Sequence, residues 1–188
     1  VVTTREAQIG TEVSATNADK VSEQTGYEFD NANTNNVLTT TVTADGNATL
    51  RVYFKKSSYT LTVVAGTDVE KVKIGTDENT TQLSTTVKYG ESVTIDATVE
   101  TIPGYTINFT KWSSSNSTLF AHNTTQNLSF TMPAGSLTLT AITTKTAKDT
   151  TYNIEYYYQQ VDGTYPQNAN NTAIRNGKVG NTAVLSTA

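Results

Sequence analysis

Apolar and polar residues alternate along most of this chain. In the stretch NATLRVYFKK, Leu50, Val52 and Phe54 fall on one side of an extended strand, and most of the polar residues fall on the other. The same two-residue period recurs in SYTLTVVAG, VEKVKIG, ESVTIDATVE, YTINFTKW, NLSFTM and SLTLTAITT. Asp45-Gly46 lies between two such runs and predicts a hairpin turn, because glycine tolerates a positive φ. The pattern therefore predicts a mainly β protein.

One segment departs from this alternation. The stretch ATNADKVSEQTG offers Thr16 or Asn17 as a helix cap, good helix formers after it, and Gly26 as a terminator. Ala18 and Val21 would give such a helix a narrow apolar face. We expect one short helix here, over about residues 16–25.

The composition favours small modules over one large core. Only 36% of the 188 residues are hydrophobic, which suits thin cores beneath a large surface. A net charge of −4 leaves no basic field for a phosphate backbone, so no nucleic-acid partner is expected. No apolar run approaches the roughly 18 residues that span a bilayer, so no membrane insertion is expected within this segment. The absence of cysteine suits either a cytosolic protein or an exported bacterial protein built without disulfides.

An internal repeat links the two ends of the chain. The stretch REAQIGTEVSAT near the start is similar to RNGKVGNTAVLST near the end. The matched positions, at an offset of 170, are Arg5 with Arg175, Ile9 with Val179 and Gly10 with Gly180. One extra residue after the glycine then brings Val13 opposite Val184.

This repeat predicts an alternation of two kinds of module. Residues 1–56 would be the later part of one module, and residues 148–188 would be the opening part of its next copy. Residues 57–147 would form a complete and different module between them. Because neither terminal part has a complete core, we expect 148–188 to pair with a 1–56 region, in the same chain or head to tail in a neighbouring one.

The central part resembles the divergent internalin-B-type repeat of bacterial surface proteins. The stretches that carry the resemblance are SYTLTV, YGESVTIDATV, PGYTINFTKWSS and LSFTMPAGSLTLTA. Trp112 lies about two residues later than in the usual spacing of that family. The resemblance covers most of residues 57–143 and implies an all-β repeat module.

The flanking parts resemble the mucin-binding-protein (MucBP) or internalin-B-repeat type of β-grasp module. TYNIEYYYQQVDGTYP is similar to its first hairpin and RNGKVGNTAVLST to its second strand. NADKVSEQTGYEFD is similar to its helix, and TTTVTADGNATLRVYFKKSSYT to its closing hairpin. The resemblance implies a β-grasp-like module, with the short helix, split between the two termini.

These resemblances together imply a non-catalytic tandem-repeat region of a bacterial cell-surface adhesin. Such a stalk would be extracellular, attached to the cell wall or secreted. It would need no cofactor, and its partners would be a host glycan, a mucin or a surface protein. The alternative is an accessory or spacer module of a secreted polysaccharide-acting enzyme.

Few side chains are candidates for site chemistry. His122 is the only histidine, and without a positioned partner it is interpreted as a solvated loop residue. One histidine and no cysteine cannot complete a zinc-type site. Residues 29–36 and 76–79 offer oxygen ligands for calcium, but Asp/Asn-rich turns also occur for backbone reasons. Trp112 and Tyr105 are interpreted as core residues rather than a sugar platform.

The stretch from Tyr152 to Pro166 holds half of the ten tyrosines. As a strand it would place Ile154, Tyr156 and Tyr158 on one face, with Asp162-Gly163 closing a hairpin toward Tyr165. Because one aromatic face is needed for the core of the module, a platform of three tyrosines is not available. Tyr157 and Tyr165 remain as candidate ligand contacts.

Overall fold

In the computed structural model, residues 5–116, 120 and 123–184 are described. The protein is mainly β, as the alternation predicts, and its strands form several small sheets. The N-terminal region, residues 5–56, contains two antiparallel pairs. The strands are β1 (Glu12–Ser14), β2 (Tyr27–Phe29), β3 (Thr39–Thr41) and β4 (Phe54–Lys56), with β1 beside β3 and β2 beside β4.

The helix expected over residues 16–25 is a single 3-10 turn, Ala18–Lys20. The Asp19 carboxylate accepts hydrogen bonds from the Thr16 amide and hydroxyl, both at 2.7 Å, and so closes the turn at its start. Val21 is 70% exposed. A helix over all of residues 16–25 would have almost no apolar face to bury. A helix of that length is not stable in water unless it packs against the rest of the protein.

The Asp45-Gly46 turn forms, but its two arms separate. The Asp45 carboxylate accepts hydrogen bonds from the Asn47 amide and side chain. The arms meet at one antiparallel bridge, between Val37 and Arg51. Apart from this bridge, the arms pair elsewhere, β3 with β1 and β4 with β2. Residues 47–53 therefore stay outside the named strands despite their alternation.

Residues 58–147 form the central sandwich, made of two four-stranded sheets. One sheet has the order β10-β12-β5-β8 and the other the order β11-β9-β6-β7. The strands are β5 (Ser58–Val64), β6 (Val69–Ile74), β7 (Asp77–Asn79), β8 (Gln82–Lys88), β9 (Ser92–Val99), β10 (Tyr105–Ser114), β11 (Leu128–Thr131) and β12 (Leu137–Ala147). All pairs are antiparallel except β12 with β5, which is parallel.

The hydrophobic core of the described residues lies within this sandwich. It is filled by alternate residues of both sheets, the largest fully buried ones being Trp112, Leu61, Ile95, Met132, Leu137, Leu139, Val63 and Val72. On the strands, threonine and serine occupy many of the intervening positions, where a β-branched or small polar side chain suits a solvent-facing surface.

A β-bulge places Trp112 in the core. Strand β10 shifts its register against β12 between Phe109 and Lys111. Ile107 and Phe109 are half-buried on odd positions, and after the bulge the buried residue is the even-numbered Trp112. One extra residue thus switches which face the following side chains occupy, and brings Trp112 into the core.

The C-terminal region holds one antiparallel pair, β13 (Asp149–Tyr156) and β14 (Asn171–Lys178). The prediction of a hairpin toward Tyr165 is wrong, because β13 pairs with residues 171–178 and the Asp162-Gly163 turn lies inside the connecting loop. The described strands of the two terminal regions pair only within their own region. Pairing within one chain is therefore not found, and pairing with another copy stays a prediction.

Candidate functional site

The tyrosine loop, residues 157–170, is the most exposed aromatic surface of the described chain. Strand β13 ends at Tyr156, where the Asn170 amide donates to the Tyr156 carbonyl at 2.9 Å. The Asn170 side chain then accepts from the Tyr158 amide at 2.8 Å in place of a further strand bond. Tyr158 therefore leaves the strand face predicted for it and is 62% exposed.

The far end of the tyrosine loop is fixed by its own hydrogen bonds. The Gln160 amide donates to the Thr164 carbonyl at 2.8 Å. The Thr164 amide and hydroxyl donate to the Asp162 carboxylate at 3.0 and 2.7 Å, and these bonds lower the pKa of Asp162. Val161 is fully exposed at the tip. Val161 is therefore a further candidate for ligand contact, which the alternation in the sequence did not indicate.

Tyr157 and Tyr165, the two candidate contacts, both lie on this loop at the surface. Their side chains are 42% and 62% exposed. The Tyr157 hydroxyl donates to the Glu155 carboxylate at 2.7 Å, which raises the pKa of Tyr157. A neutral phenol with its proton engaged offers a ring face for stacking and an oxygen that accepts hydrogen bonds. These groups suit binding and provide no nucleophile–base pair.

A second candidate surface is an open cleft of about 770 Å³ in the N-terminal region. Its walls come from β1, β3 and the segment before β4, and include Val13, Val42, Leu50 and Val52. At its rim Arg5 forms an ion pair with Asp19. The hydrogen bond from Arg5, followed by those from Thr16, holds the pKa of Asp19 well below its ordinary range. The cleft thus combines apolar side chains with charged and hydroxyl-bearing ones.

The segments considered for calcium use their side chains to hold the backbone. In residues 29–36, the Asn36 side chain donates to the Asp30 carbonyl and accepts from the Tyr53 amide. In residues 76–79, Asn79 accepts from the Thr81 amide and hydroxyl. Across the described ranges, no group of three or more His, Cys, Asp or Glu side chains is placed to hold a metal ion. His122 lies outside the described residues.

Trp112 and Tyr105 have different environments. Trp112 is fully buried, and its indole N–H donates to the carbonyls of Thr125 and Gln126. The core interpretation is therefore confirmed for Trp112. Tyr105 is only half-buried, with the Lys145 ammonium 4.9 Å from its ring centroid. It lies where the sandwich meets the C-terminal region, because Gly180 approaches its hydroxyl.

Comparison with known protein families gives one match. Residues 59–148 match the family described as a divergent InlB B-repeat domain. No curated protein and no solved structure gives a significant match. The described residues contain no helix of the length and hydropathy that a membrane span requires.

Proposed function

Because residues 59–148 belong to the divergent InlB B-repeat family, we propose that this chain is a repeat region of a bacterial cell-surface adhesin. The family is a surface module of a non-catalytic type, and it implies an extracellular or cell-surface location. In this proposal the region extends the protein from the cell wall. Residues 1–56 are then the later part of one β-grasp-like module of the mucin-binding type, and residues 148–188 are the opening part of its next copy.

The family match carries the proposal, and the connections between modules support it. A single residue, Ser57, separates β4 from β5, and Lys148 alone separates β12 from β13. The Ser57 amide donates to the Gly26 carbonyl and the Lys148 amide to the Gly104 carbonyl. Bonded connections of this length suit a stalk, since each module then contacts its neighbours and total length increases with copy number.

We assign ligand contact to the tyrosine loop. Tyr157, Tyr158 and Tyr165 expose their rings there, and aromatic rings bind the apolar faces of sugars while their hydroxyls meet the sugar hydroxyls. The expected partners are a host mucin, another glycan or a glycosylated surface protein. Binding at the tyrosine loop requires no conformational change in the central sandwich.

The test is binding of the full chain to immobilised mucin and to a glycan array. We expect Tyr157→Ala combined with Tyr165→Ala to weaken binding by about tenfold or more, the loss expected of two stacking contacts. Tyr157→Phe keeps the ring and should retain most of the affinity. Tyr53→Ala is the matched control, because Tyr53 is 39% exposed but lies in the N-terminal region.

Two results would contradict the assignment. Binding that survives the double substitution would move the contact away from the tyrosine loop. No binding of the unaltered chain to any mucin or glycan would contradict adhesion and leave a pure spacer.

A further inference from the structure

The two ends of the chain contain the same turn. In the first turn, residues 8–11, the Thr11 amide donates to the Gln8 carbonyl at 3.1 Å. In the second turn, residues 178–181, the Asn181 amide donates to the Lys178 carbonyl at the same distance. The third residue is a glycine with φ of +85° in the first turn and +80° in the second, a conformation that glycine adopts without steric cost. The repeat at offset 170 is thus matched by geometry.

The central sandwich covers the second turn. Val179 packs on Gly104 so closely that a Cβ added at Gly104 would lie 2.7 Å from its Cγ1. Gly180 approaches the Tyr105 hydroxyl in the same way. The Val179 amide also donates to the Lys148 carbonyl at 3.1 Å. Val179 is half-buried as a result.

The first turn has a different set of contacts. Ile9, the counterpart of Val179, is 71% exposed. The hydrogen bonds of this turn connect it to Val42, next to β3. The Gly10 amide donates to the Val42 carbonyl and the Val42 amide donates to the Thr11 carbonyl, both at 2.9 Å. After the turn, it is the first copy that is more buried: Val13 is half-buried in the β1–β3 pair, whereas its counterpart Val184 is 78% exposed. Each copy makes the contacts that the other lacks.

One turn can make both sets of contacts at once. The sandwich side uses the side chain and amide of the second turn residue, as at Val179, whereas the β3 side uses the amide of the following glycine, as at Gly10. Different donors are engaged, so neither set excludes the other. The missing contacts of the first turn can therefore be supplied without breaking those it already has.

The open cleft lies beside the first turn, where the repeat predicts the position of a second β13. In the β13–β14 pair, Tyr152 lies opposite Arg175, the counterpart of Arg5. Residues that are directly opposite point to the same face of a pair, and Tyr152, Ile154 and Tyr156 are the half-buried side chains of that face. Arg5 lines the cleft. A second β13 placed beside residues 5–8 in this register would set Asp149–Tyr152 opposite them, with Tyr152 on the same face as Arg5 and next to the cleft.

We propose that residues 5–15 are the docking surface for a second copy of residues 104–156 of this chain. The start of strand β13 of that copy, Asp149–Tyr152, pairs with residues 5–8, and its Tyr152 ring covers the Arg5 side of the cleft. Its Gly104–Tyr105 corner covers Ile9 and Gly10, as it covers Val179 and Gly180 within the present chain. The occupant is defined by the repeat itself, so the inference is independent of any ligand that the tyrosine loop binds.

The test uses a tandem chain in which residues 1–170 precede the full 188-residue sequence. In this chain a copy of residues 104–156 comes before the second copy of Arg5. Residues 5–11 of the second copy should exchange their amide hydrogens about tenfold or more slowly than the same residues in the 188-residue chain, because a covered turn opens less often. Equal exchange in the two settings would overturn the proposal.

Substitutions at Ile9 separate docking from local folding. Ile9→Asp in the second copy should remove the added protection, while Ile9→Val should keep it, since Val179 makes this contact already. In the 188-residue chain Ile9→Asp should change nothing, because the side chain is exposed there. Val179→Asp in that chain measures the effect of breaking the observed contact. If Ile9→Asp leaves the amide exchange of residues 5–11 in the second copy of the tandem chain unchanged, docking is contradicted.

Discussion

Trp112 is the single residue on which the central sandwich depends most. It is the largest of the fully buried side chains, and its ring lies 5.5 Å from that of Phe109. Its indole N–H meets the carbonyls of Thr125 and Gln126, both at 3.1 Å. One side chain therefore fills the core and also holds the segment that leads into β11.

Replacing Trp112 by alanine should lower the free energy of unfolding by about 3–5 kcal/mol, the usual loss for a buried large aromatic. Trp112→Phe should cost less, although it leaves the two carbonyls without their donor. Urea unfolding followed by far-UV circular dichroism measures both changes. Tyr158→Ala, at an exposed ring, is the control and should stay within about 0.5 kcal/mol of the unaltered chain. Equal midpoints for Trp112→Ala and this control would contradict the packing.

We expect the Arg5–Asp19 ion pair to weaken as the pH falls. The hydrogen bond from Arg5 lowers the pKa of Asp19 in the folded state. A lowered folded-state pKa stabilises the fold above the unfolded value of about 4, and this stabilisation is lost as the pH falls toward the folded pKa. We expect Arg5→Gln to raise the titration midpoint of Asp19 in a carboxyl NMR titration.

Asp45 provides the internal control for this titration. Hydrogen bonds from Thr43 and then Asn47 hold the pKa of Asp45 at about 2, without help from Arg5. Its midpoint should therefore be the same in the Arg5→Gln variant. A shift of both carboxyls would indicate a general loss of structure, and no shift of Asp19 would show that the ion pair is not formed in solution.

At the scale of elements, the four-stranded and two-stranded sheets differ in how many neighbouring strands each strand pairs with. Strands β5, β9 and β12 have neighbours on both sides and bury alternate residues in the core. The pairs β1–β3, β2–β4 and β13–β14 each have only one ladder. An isolated pair of strands is marginally stable in water.

Hydrogen exchange should therefore divide the chain into two classes. We expect the amides of β1, β3, β13 and β14 to exchange several orders of magnitude faster than those of β5, β9 and β12, because local opening of a two-stranded pair exposes few apolar contacts. Mass-spectrometric exchange at peptide resolution measures this directly. Uniform protection across all sheets would show that the flanking regions unfold only together with the sandwich.

The alternation in the sequence predicted the central strands well, because both sheets bury every second residue. The alternation did not predict the structure correctly where a strand also depends on a neighbouring strand to pair with. Residues 47–53 alternate as clearly as β9 but have no strand ladder beyond the Val37–Arg51 bridge. Tyr158 continues the period of β13, yet the strand stops where the Asn170 side chain replaces a backbone partner. The parallel β5–β12 pair joins residues about 76 apart, a separation that local periodicity does not encode.

At the scale of the whole molecule, hydrogen bonds join the central sandwich to the region on each side of it. Ser57 is buried, and its carbonyl accepts from the Tyr89 amide while its own amide donates to Gly26. The ring of Tyr89 also meets Tyr27 edge to face, with centroids 6.1 Å apart. At the other end Lys148 is bonded to both Gly104 and Val179. The chain is therefore hydrogen-bonded to the sandwich both where it enters and where it leaves.

The parallel pairing of β5 with β12 also determines how the sandwich bears a pulling force. β5 is the first strand of the sandwich and β12 the last, and they run side by side from Leu61 and Leu137 to Val64 and Thr140. Tension applied through the two ends drags these parallel neighbours lengthwise in opposite directions. Their hydrogen bonds are then loaded in shear, all together, instead of opening one after another as in a peeled hairpin. The sandwich therefore resists stretching at the two strands where the chain enters and leaves it.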